Sequence, residues 1–195
     1  MLPSRTLAEW FVAGGYDLRE LFRMLTTTRA YQLGSRASDP SPPPELFARM
    51  TVKTLTPEQI YDSLSRVALR PLPEQEAMVD PRRQAFLVKM QTQTRSVVDF
   101  EVSLPQALAL MNGPELSEAT DAAASGLLVA LEAPFLDDDE RVETAFLAAL
   151  CRPPRDLERS QFLDHVQAKP TAERPKALGD VVWALLNSAE FILNH

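Results

Sequence analysis

Cysteine is almost absent from this chain. Its 195 residues include one, Cys151. A single cysteine excludes an intrachain disulfide, and it also excludes the paired-cysteine motifs of covalent haem attachment and of thioredoxin-type redox sites. Because Cys151 directly follows the apolar run FLAAL, we predict that it is a small buried hydrophobic residue.

Glycine and the β-branched aliphatic residues are also scarce. The chain has 6 glycines against 16 prolines, and 15 Ile and Val residues against 52 Leu and Ala residues. Leu and Ala lose little conformational freedom in a helix, whereas β-branched residues favour strands. Proline starts helices and interrupts them. The composition therefore predicts an all-α protein whose short helices are separated by proline-containing connections.

Basic residues are in the minority. The net charge is −7, and residues 115–195 hold 15 acidic but only 7 basic side chains. Nucleic-acid binding needs a basic face, so we predict no nucleic-acid partner. No run approaches the roughly 18 apolar residues of a membrane span. The N-terminus lacks the charged and apolar regions of a signal peptide, and we expect neither feature in this chain.

Helix-start signals recur along the sequence. Thr56, Pro57 and Gln59 form a capping box with proline at the first helical position, and Asp80-Pro81 begins another helix. Apolar residues at helical spacing mark the expected core: Ile60, Leu64, Val67, Phe86, Leu87, Met90, Val182, Leu185 and Leu186, with Trp183 as a further candidate. We predict an irregular bundle of about eight to ten short helices, forming a single all-α domain of residues 1–195.

An amphipathic helix is also predicted in the segment DLRELFRML. Asp17 begins it, with Glu20 three residues later in a variant of the capping box. Leu18, Leu21, Phe22 and Leu25 follow the i, i+3, i+4, i+7 spacing of one helix face. We expect this face to point inward. The sequence therefore places a second packed helix near the N-terminus.

Three segments do not fit the helical pattern. Residues 96–104, SVVDFEVSL, alternate apolar and polar side chains as a strand does. A lone strand has no partner for its backbone, so we predict one extended connector and no substantial sheet. Residues 35–44 and 70–80 are linker-like in composition, being rich in proline and polar residues.

Five segments in order carry a family resemblance: LAEWFVAGGYDLRELFRMLTTTRAYQLGS, KTLTPEQIYDSL, SLPQALALMNGPEL, ERVETAFLAALCRPPRDLE and DVVWALLNSAEFI. Together they resemble the C-terminal domain of unknown function in a large family of multidomain proteins abundant in planctomycete bacteria. Many of those proteins carry a c-type cytochrome domain near the N-terminus. The chain departs from the family pattern at Leu2-Pro3, where His-Pro is common, at Cys151, where glycine is common, and at Arg155-Asp156, where Thr-Pro is common.

The resemblance implies a setting for the chain. It covers nearly the whole sequence and begins almost at residue 1, so we expect the chain to be a fragment of a longer protein. The relatives carry export signals, which implies a periplasmic or cell-surface location. Neighbouring domains of the parent protein are the expected partners. No cofactor is expected in this chain, and any haem would belong to other domains. The family supplies no catalytic or ligand-binding residue to transfer.

The sequence shows no reactive constellation. There is no Gly-x-Ser-x-Gly elbow and no glycine-rich phosphate loop. The two histidines, His165 and His195, lie outside any ligand cluster. The acidic run 137–140 matches no calcium-loop spacing and suits the positive end of a helix dipole. We therefore predict no catalytic, metal or cofactor residues, and we favour a non-enzymatic role.

Five polar residues within the family-like segments remain as binding or structural candidates: Arg82, Arg83, Gln106, Asn112 and Asn187. Two basic residues at a helix start oppose the helix dipole, which indicates a carboxylate partner for the arginines. Asp99 and Glu101 are the expected partners. The two asparagines end apolar helical stretches, where an amide side chain can bind free backbone groups.

Three functions remain open at this point. The favoured one is a non-catalytic helical module that binds a protein or glycan ligand, or positions a neighbouring domain, within an exported bacterial protein. The second is an accessory part of an enzyme or electron-transfer assembly, which needs a cleft where Arg82 or Arg83 meets acidic residues from several helices. The third is a helical oligomerisation unit, which needs an exposed apolar patch.

Overall fold

The computed structural model describes residues 4–35, 46, 48–50, 52–70, 80–90 and 111–194. The predicted extended connector at 96–104 lies outside these residues. Nearly all of the two linker-like segments also lies outside them.

The described residues are predominantly helical. The helices are α1 (Ser4–Ala13), α2 (Leu18–Thr27), α3 (Pro57–Val67), α4 (Pro81–Met90), α5 (Pro114–Thr120), α6 (Gly126–Leu131), α7 (Asp138–Leu150), α8 (Asp156–Gln167), α9 (Arg174–Leu186) and α10 (Ala189–Ile192). A 3₁₀ turn covers Thr171–Glu173. The predicted all-α irregular bundle is confirmed.

The strands of the described part of the chain form one minimal ladder. Strand β1 (Lys53–Thr54) pairs antiparallel with β2 (Leu193–Asn194). Leu55 extends the pairing by donating its backbone N–H to Ile192 over 2.8 Å. This ladder holds the end of the chain against the entry to α3. It is far too short to form a layer of the fold.

The chain divides into two units, one within residues 1–52 and one of residues 53–194. In the first unit, Asp17 caps α2 by accepting the backbone N–H of Glu20 over 3.1 Å. The expected inward face of α2 is wrong. Leu18, Phe22 and Leu25 are exposed, and α2 has no buried residue. Helical spacing shows that a face is apolar, but it does not supply the surface that would cover it.

The core of the second unit is built around α9. Val181, Val182, Leu185 and Leu186 are all at most 4% exposed, and α9 contacts α5, α7 and α8. Neighbouring helices add Phe146 on α7 and Leu116 on α5, each 1% exposed. Burial of such side chains stabilises a fold by about 1.5–3 kcal/mol each. The core residues predicted on α3, α4 and α9 are buried, except Trp183 of α9, which is 40% exposed.

The helices of this unit begin where the sequence signals indicate. Thr56 accepts the backbone N–H of Gln59, and the Gln59 side chain accepts the backbone N–H of Thr56 over 2.9 Å. Asp137 and Glu140 make the same reciprocal pair at the start of α7. These boxes satisfy backbone donors that the first helical turn leaves free. They set where each helix starts and hence which of its faces is buried.

Two positions of this unit place unusual demands on their residues. Gly179 of α9 approaches α5 so closely that an added Cβ would lie 2.6 Å from the carbonyl oxygen of Thr120. Cys151 ends α7 in the left-handed conformation, with φ 55°. Cys151 is exposed, so its predicted burial is wrong. Because Cys151 leaves the helical conformation, it does not continue the apolar face that FLAAL supplies.

None of the described helices is both long and apolar enough to cross a membrane.

Candidate functional site

A cleft in the unit of residues 53–194 lies between α3, α4 and α5. Its volume is about 250 Å³. It is lined by Tyr61, Arg70, Arg82, Ala85, Lys89, Pro114, Glu115 and Glu118. Three cationic and two anionic side chains share this small space. The cleft is therefore strongly polar without a large net charge.

Tyr61 forms the floor of the cleft. It follows Ile60 on the buried face of α3 and is only 4% exposed. A buried phenol needs a hydrogen-bond partner. Its hydroxyl donates to Oδ2 of Asp80 over 2.9 Å, while Oδ1 of Asp80 accepts the backbone N–H of Arg82 over 2.9 Å. Asp80 thus ties the floor of the cleft to the first turn of α4.

The two members of this pair are held in their ordinary charge states at neutral pH. Burial, together with the hydrogen bond to Asp80, raises the pKa of Tyr61 to about 12. For Asp80, burial acts to raise the pKa, but hydrogen bonds from the backbone of Arg82 and from Tyr61 outweigh it and lower the pKa. A general acid or base works best with a pKa near the operating pH. Tyr61 and Asp80 have moved away from that range.

Glu118 connects the two sides of the cleft mouth. One of its carboxylate oxygens, Oε2, accepts hydrogen bonds from both Arg70 and Arg82, the latter over 3.3 Å. The Arg70 side chain is 29% exposed and that of Arg82 is 67% exposed. An exposed pair such as Arg82–Glu118 contributes at most about 1 kcal/mol. Arg82 is therefore free to exchange its partner for a ligand at small cost.

Two charged residues of the lining have no ion pair within the described part of the chain. Lys89 lies near the end of α4, about two helical turns from its start, and Glu115 lies in the first turn of α5. An ammonium group offers three hydrogen-bond donors, and a carboxylate offers acceptors only. The cleft thus presents unused donors and unused acceptors to the same volume.

Arg83 has a different role from its neighbour. Its Nε donates to Oδ1 of Asp62 over 3.2 Å, and the Arg83 side chain is 15% exposed. This ion pair joins α4 to α3, and neither residue lines the cleft. The carboxylates that the structure pairs with the two candidate arginines are therefore Glu118 and Asp62. Asp99 and Glu101 lie outside the described residues.

The other sequence candidates lie apart from the cleft. Gln106 is outside the described residues. Asn112 is exposed at the residue before Gly113 and is not part of the lining. Asn187 ends α9, where its Nδ2 donates to the carbonyl oxygen of Trp183 over 2.8 Å. That contact satisfies one of the carbonyl groups that a helix end leaves free.

Sequence reasoning missed most of the cleft, including Tyr61, Lys89, Glu115 and Glu118. One signal was available. Tyr61 lies beside Ile60 on the buried side of α3, and a tyrosine at such a position implies a polar partner nearby. Nothing in the local sequence joins Arg82 to Glu118, which lies 36 residues further along the chain.

A second polar cluster lies in the turn between α7 and α8. The guanidinium of Arg152 binds both carboxylate oxygens of Glu158 over 2.8 and 2.9 Å and also binds Glu190 of α10. Arg152 also lies over the Phe146 ring, with 5.5 Å to the centroid. Its Nε donates to Glu190, and Nη1 also donates to the carbonyl oxygen of Pro153. All five N–H donors of Arg152 are therefore used. This cluster joins elements of the fold and offers nothing to a ligand.

The described residues contain no group of three or more His, Cys, Asp or Glu side chains that could hold a metal ion. His165, for which no ligand cluster was predicted, lies 3.2 Å from Asp180 in an exposed pair.

Residues 5–96, slightly under half of the chain, match a family model described as PSD1, a protein of unknown function (DUF1553). The matched stretch contains Tyr61, Arg70, Arg82 and Lys89 of the cleft, whereas Glu115 and Glu118 lie beyond it. No curated protein and no solved structure matches the chain.

Proposed function

We propose that this chain is a non-catalytic helical module that binds a polar ligand in the cleft between α3, α4 and α5, as part of a larger exported protein. The observation that carries the proposal is the pairing of unused donors and acceptors at the cleft, Lys89 and Glu115, above a floor whose groups are not poised for proton transfer. The resemblance to planctomycete multidomain proteins, some with a cytochrome domain, supplies the exported setting.

The chemistry of the lining favours a ligand without a large net charge. Cationic and anionic side chains stand together, so a strongly charged molecule would meet repulsion from one set. A molecule with many hydroxyl or amide groups can use both sets at once. Short glycans and extended peptide segments belong to this class. The neighbouring domain of the parent protein could offer such a peptide segment.

The test is a glycan and peptide array probed with the purified chain, followed by titration of the hits. We expect Lys89→Gln and Arg82→Gln to weaken binding by about tenfold each, because each removes a charged hydrogen-bond donor. Arg66→Gln is the matched control, since Arg66 is an exposed arginine of α3 outside the lining. Equal loss in all three variants, or none, would contradict a site in this cleft.

An accessory enzymatic role is the second candidate, because Arg82 of α4 does meet an acidic residue of α5 within a cleft. The two candidates differ in one measurement. Binding without turnover supports the module. Turnover of a bound glycan or peptide that is lost in Arg82→Gln and kept in Arg66→Gln would replace it with the enzyme.

Self-association is favoured by a separate observation in the first unit. Leu18 and Phe22 of α2 are 60% and 63% exposed on one apolar face. Exposed apolar patches mark interaction sites. Light scattering at micromolar concentration decides this point. A dimer that dissociates in Phe22→Glu supports self-association, whereas a monomer at every concentration removes it.

A further inference from the structure

A second cavity lies in the unit of residues 53–194. The residues that line it all follow those of the cleft in the sequence. This cavity has a volume of about 220 Å³. It is lined by Glu132, Arg141, Thr171, Arg174, Pro175 and Leu178. The residues come from the end of α6, the first turn of α7, the 3₁₀ turn and the start of α9. None of them lines the cleft between α3, α4 and α5.

Arg141 is a fixed part of the cavity wall. Its Nε donates to the carbonyl oxygen of Leu131 over 2.8 Å, and its Nη1 donates to Oδ1 of Asp138 over 2.8 Å. Its side chain is 19% exposed. These bonds satisfy the end of α6 and hold the guanidinium in place. Its positive charge nevertheless remains at the cavity.

Arg174 is less completely bound. Its Nη1 donates to Oδ2 of Asp138 over 2.7 Å. Its Nε is buried without an acceptor, and Nη2 has no hydrogen bond within the described part of the chain. The side chain is 31% exposed, so its free end reaches solvent. A guanidinium carries five donors in a fork that matches a carboxylate.

The charges around the cavity do not balance in its interior. The single carboxylate of Asp138 is shared by Arg141 and Arg174, and its side chain is only 10% exposed. One positive charge is therefore left over beside Asp138. Glu132 is exposed at the mouth and adds a negative charge there. A ligand with one negative charge matches the positive charge left over beside Asp138, whereas the second charge of a dianion would have no cationic partner and would be repelled by Asp138 and Glu132.

We propose that this cavity binds a small monocarboxylate. The carboxylate accepts hydrogen bonds from the free end of Arg174, and Thr171 supplies a hydroxyl group at the wall. Pro175 and Leu178 provide the apolar side on which a short carbon chain lies. Pockets for drug-sized ligands have volumes of about 300–1,000 Å³. A cavity of about 220 Å³ lies below this range and suits an acid of a few carbon atoms.

The experiment is a titration of the intact chain with sodium propionate, followed by NMR of the backbone amides. Sodium phosphate and sodium chloride at equal ionic strength serve as comparison salts. We expect saturable shifts at Thr171 and Leu178 with propionate, and only small linear shifts with the other two salts. Arg174→Gln should weaken propionate binding about tenfold or more, because a charged fork is lost.

Lys176→Gln is the matched control, because it removes one positive charge from an exposed residue of α9 outside the lining. Its propionate affinity should equal that of the unaltered chain. Asp138 retains Arg141 in the Arg174→Gln variant, and amide spectra without ligand verify that the fold is kept. Linear shifts with propionate, equal saturable binding of phosphate, or equal affinity in Arg174→Gln would each overturn the proposal.

Discussion

The hydroxyl group of Tyr61 donates a hydrogen bond to Oδ2 of Asp80 over 2.9 Å, which joins the middle of α3 to the residue before α4. This bond closes the floor of the cleft. It spans a stretch of the chain that leaves α3 and returns as α4. The relative placement of Lys89, Arg82 and Tyr61 therefore depends on it.

Removing this hydroxyl group should destabilise the fold. In Tyr61→Phe the ring keeps its packing against Phe86, 5.4 Å between centroids, but Asp80 loses one donor. We expect the free energy of unfolding to fall by about 1–2 kcal/mol, measured by urea denaturation. Tyr31→Phe is the control, since Tyr31 is 63% exposed and its hydroxyl group has no partner in the described residues. Equal stability of the two variants would contradict the role given to the bond.

The same pair predicts a loss of stability in alkali. The pKa of Tyr61 rises from 10.0 to about 12 on folding. Between pH 10 and about pH 12, Tyr61 therefore keeps its proton in the folded state but has lost it in the unfolded state. The stabilisation is thus complete below pH 10 and is lost as the pH rises towards about 12. Tyrosinate absorbance measured against pH should show one tyrosine that titrates late, and this phase should be missing in Tyr61→Phe. If the late phase persisted in Tyr61→Phe, it would belong to another tyrosine.

The Arg152 cluster predicts a loss of stability in acid. Its hydrogen bonds lower the pKa of Glu158 from 4.5 to about 2. A lowered pKa stabilises the fold above 4.5, and this contribution is lost as the pH falls towards about 2. Glu158→Gln should lower the free energy of unfolding by about 1–3 kcal/mol at neutral pH. Below pH 4.5, the free energy of unfolding of this variant should fall less steeply than that of the original chain. Glu173→Gln, at an exposed position whose side chain makes no cap hydrogen bond, should leave the stability in acid as it is in the original chain. If stability fell equally steeply in acid in Glu158→Gln and in the original chain, Glu158 would not be the group responsible.

Much of the second unit was predictable from local sequence. Thr56 with Gln59 predicted the start of α3 because both halves of the capping box are local contacts. Ile60, Leu64 and Val67 predicted its buried face, since helical spacing alone decides which side chains share a face. These predictions needed no knowledge of what α3 packs against.

The failures at α2 and at the cleft share one cause, which is dependence on distant parts of the chain. The apolar face of α2 carries the same spacing as that of α3, yet Phe22 is 63% exposed. The cleft depends on Glu118 meeting Arg70 and Arg82 from another helix. Such encounters are set by how helices pack, and no short window of sequence specifies that. The prediction of a single domain and the roles proposed for Arg82 and Asn187 in binding stay predictions.

The contact between α5 and α9 predicts that Gly179 tolerates no side chain. In Gly179→Ala the new Cβ would lie 2.6 Å from the backbone oxygen of Thr120, which cannot rotate away. Helix propensity favours alanine by about 1 kcal/mol, but separating two packed helices costs about 1–3 kcal/mol or more. We expect a net loss of stability in thermal unfolding. Gly34→Ala is the control, because no heavy atom lies within 4 Å of its Cβ. A Gly179→Ala chain as stable as the original would show that α5 and α9 can move apart freely.

The left-handed residue at the end of α7 predicts a stabilising substitution. Cys151 has φ 55°, a region that costs an L-residue with a Cβ roughly 1–2 kcal/mol. Glycine does not have this steric cost. Its greater backbone entropy in the unfolded chain offsets part of the stabilisation. Because Cys151 is exposed, little burial is lost with its side chain.

Cys151→Gly should therefore raise the free energy of unfolding by about 0.5–1 kcal/mol, measured by urea denaturation under reducing conditions. Cys151→Ala separates the backbone effect from removal of the thiol, since alanine keeps the Cβ and should give no gain. Glycine is the residue that most often follows a helix in this left-handed conformation. If both variants gained equally, the thiol would be the source of the cost. If neither gained, the turn between Leu150 and Arg152 must relax in solution to a conformation that ordinary residues adopt.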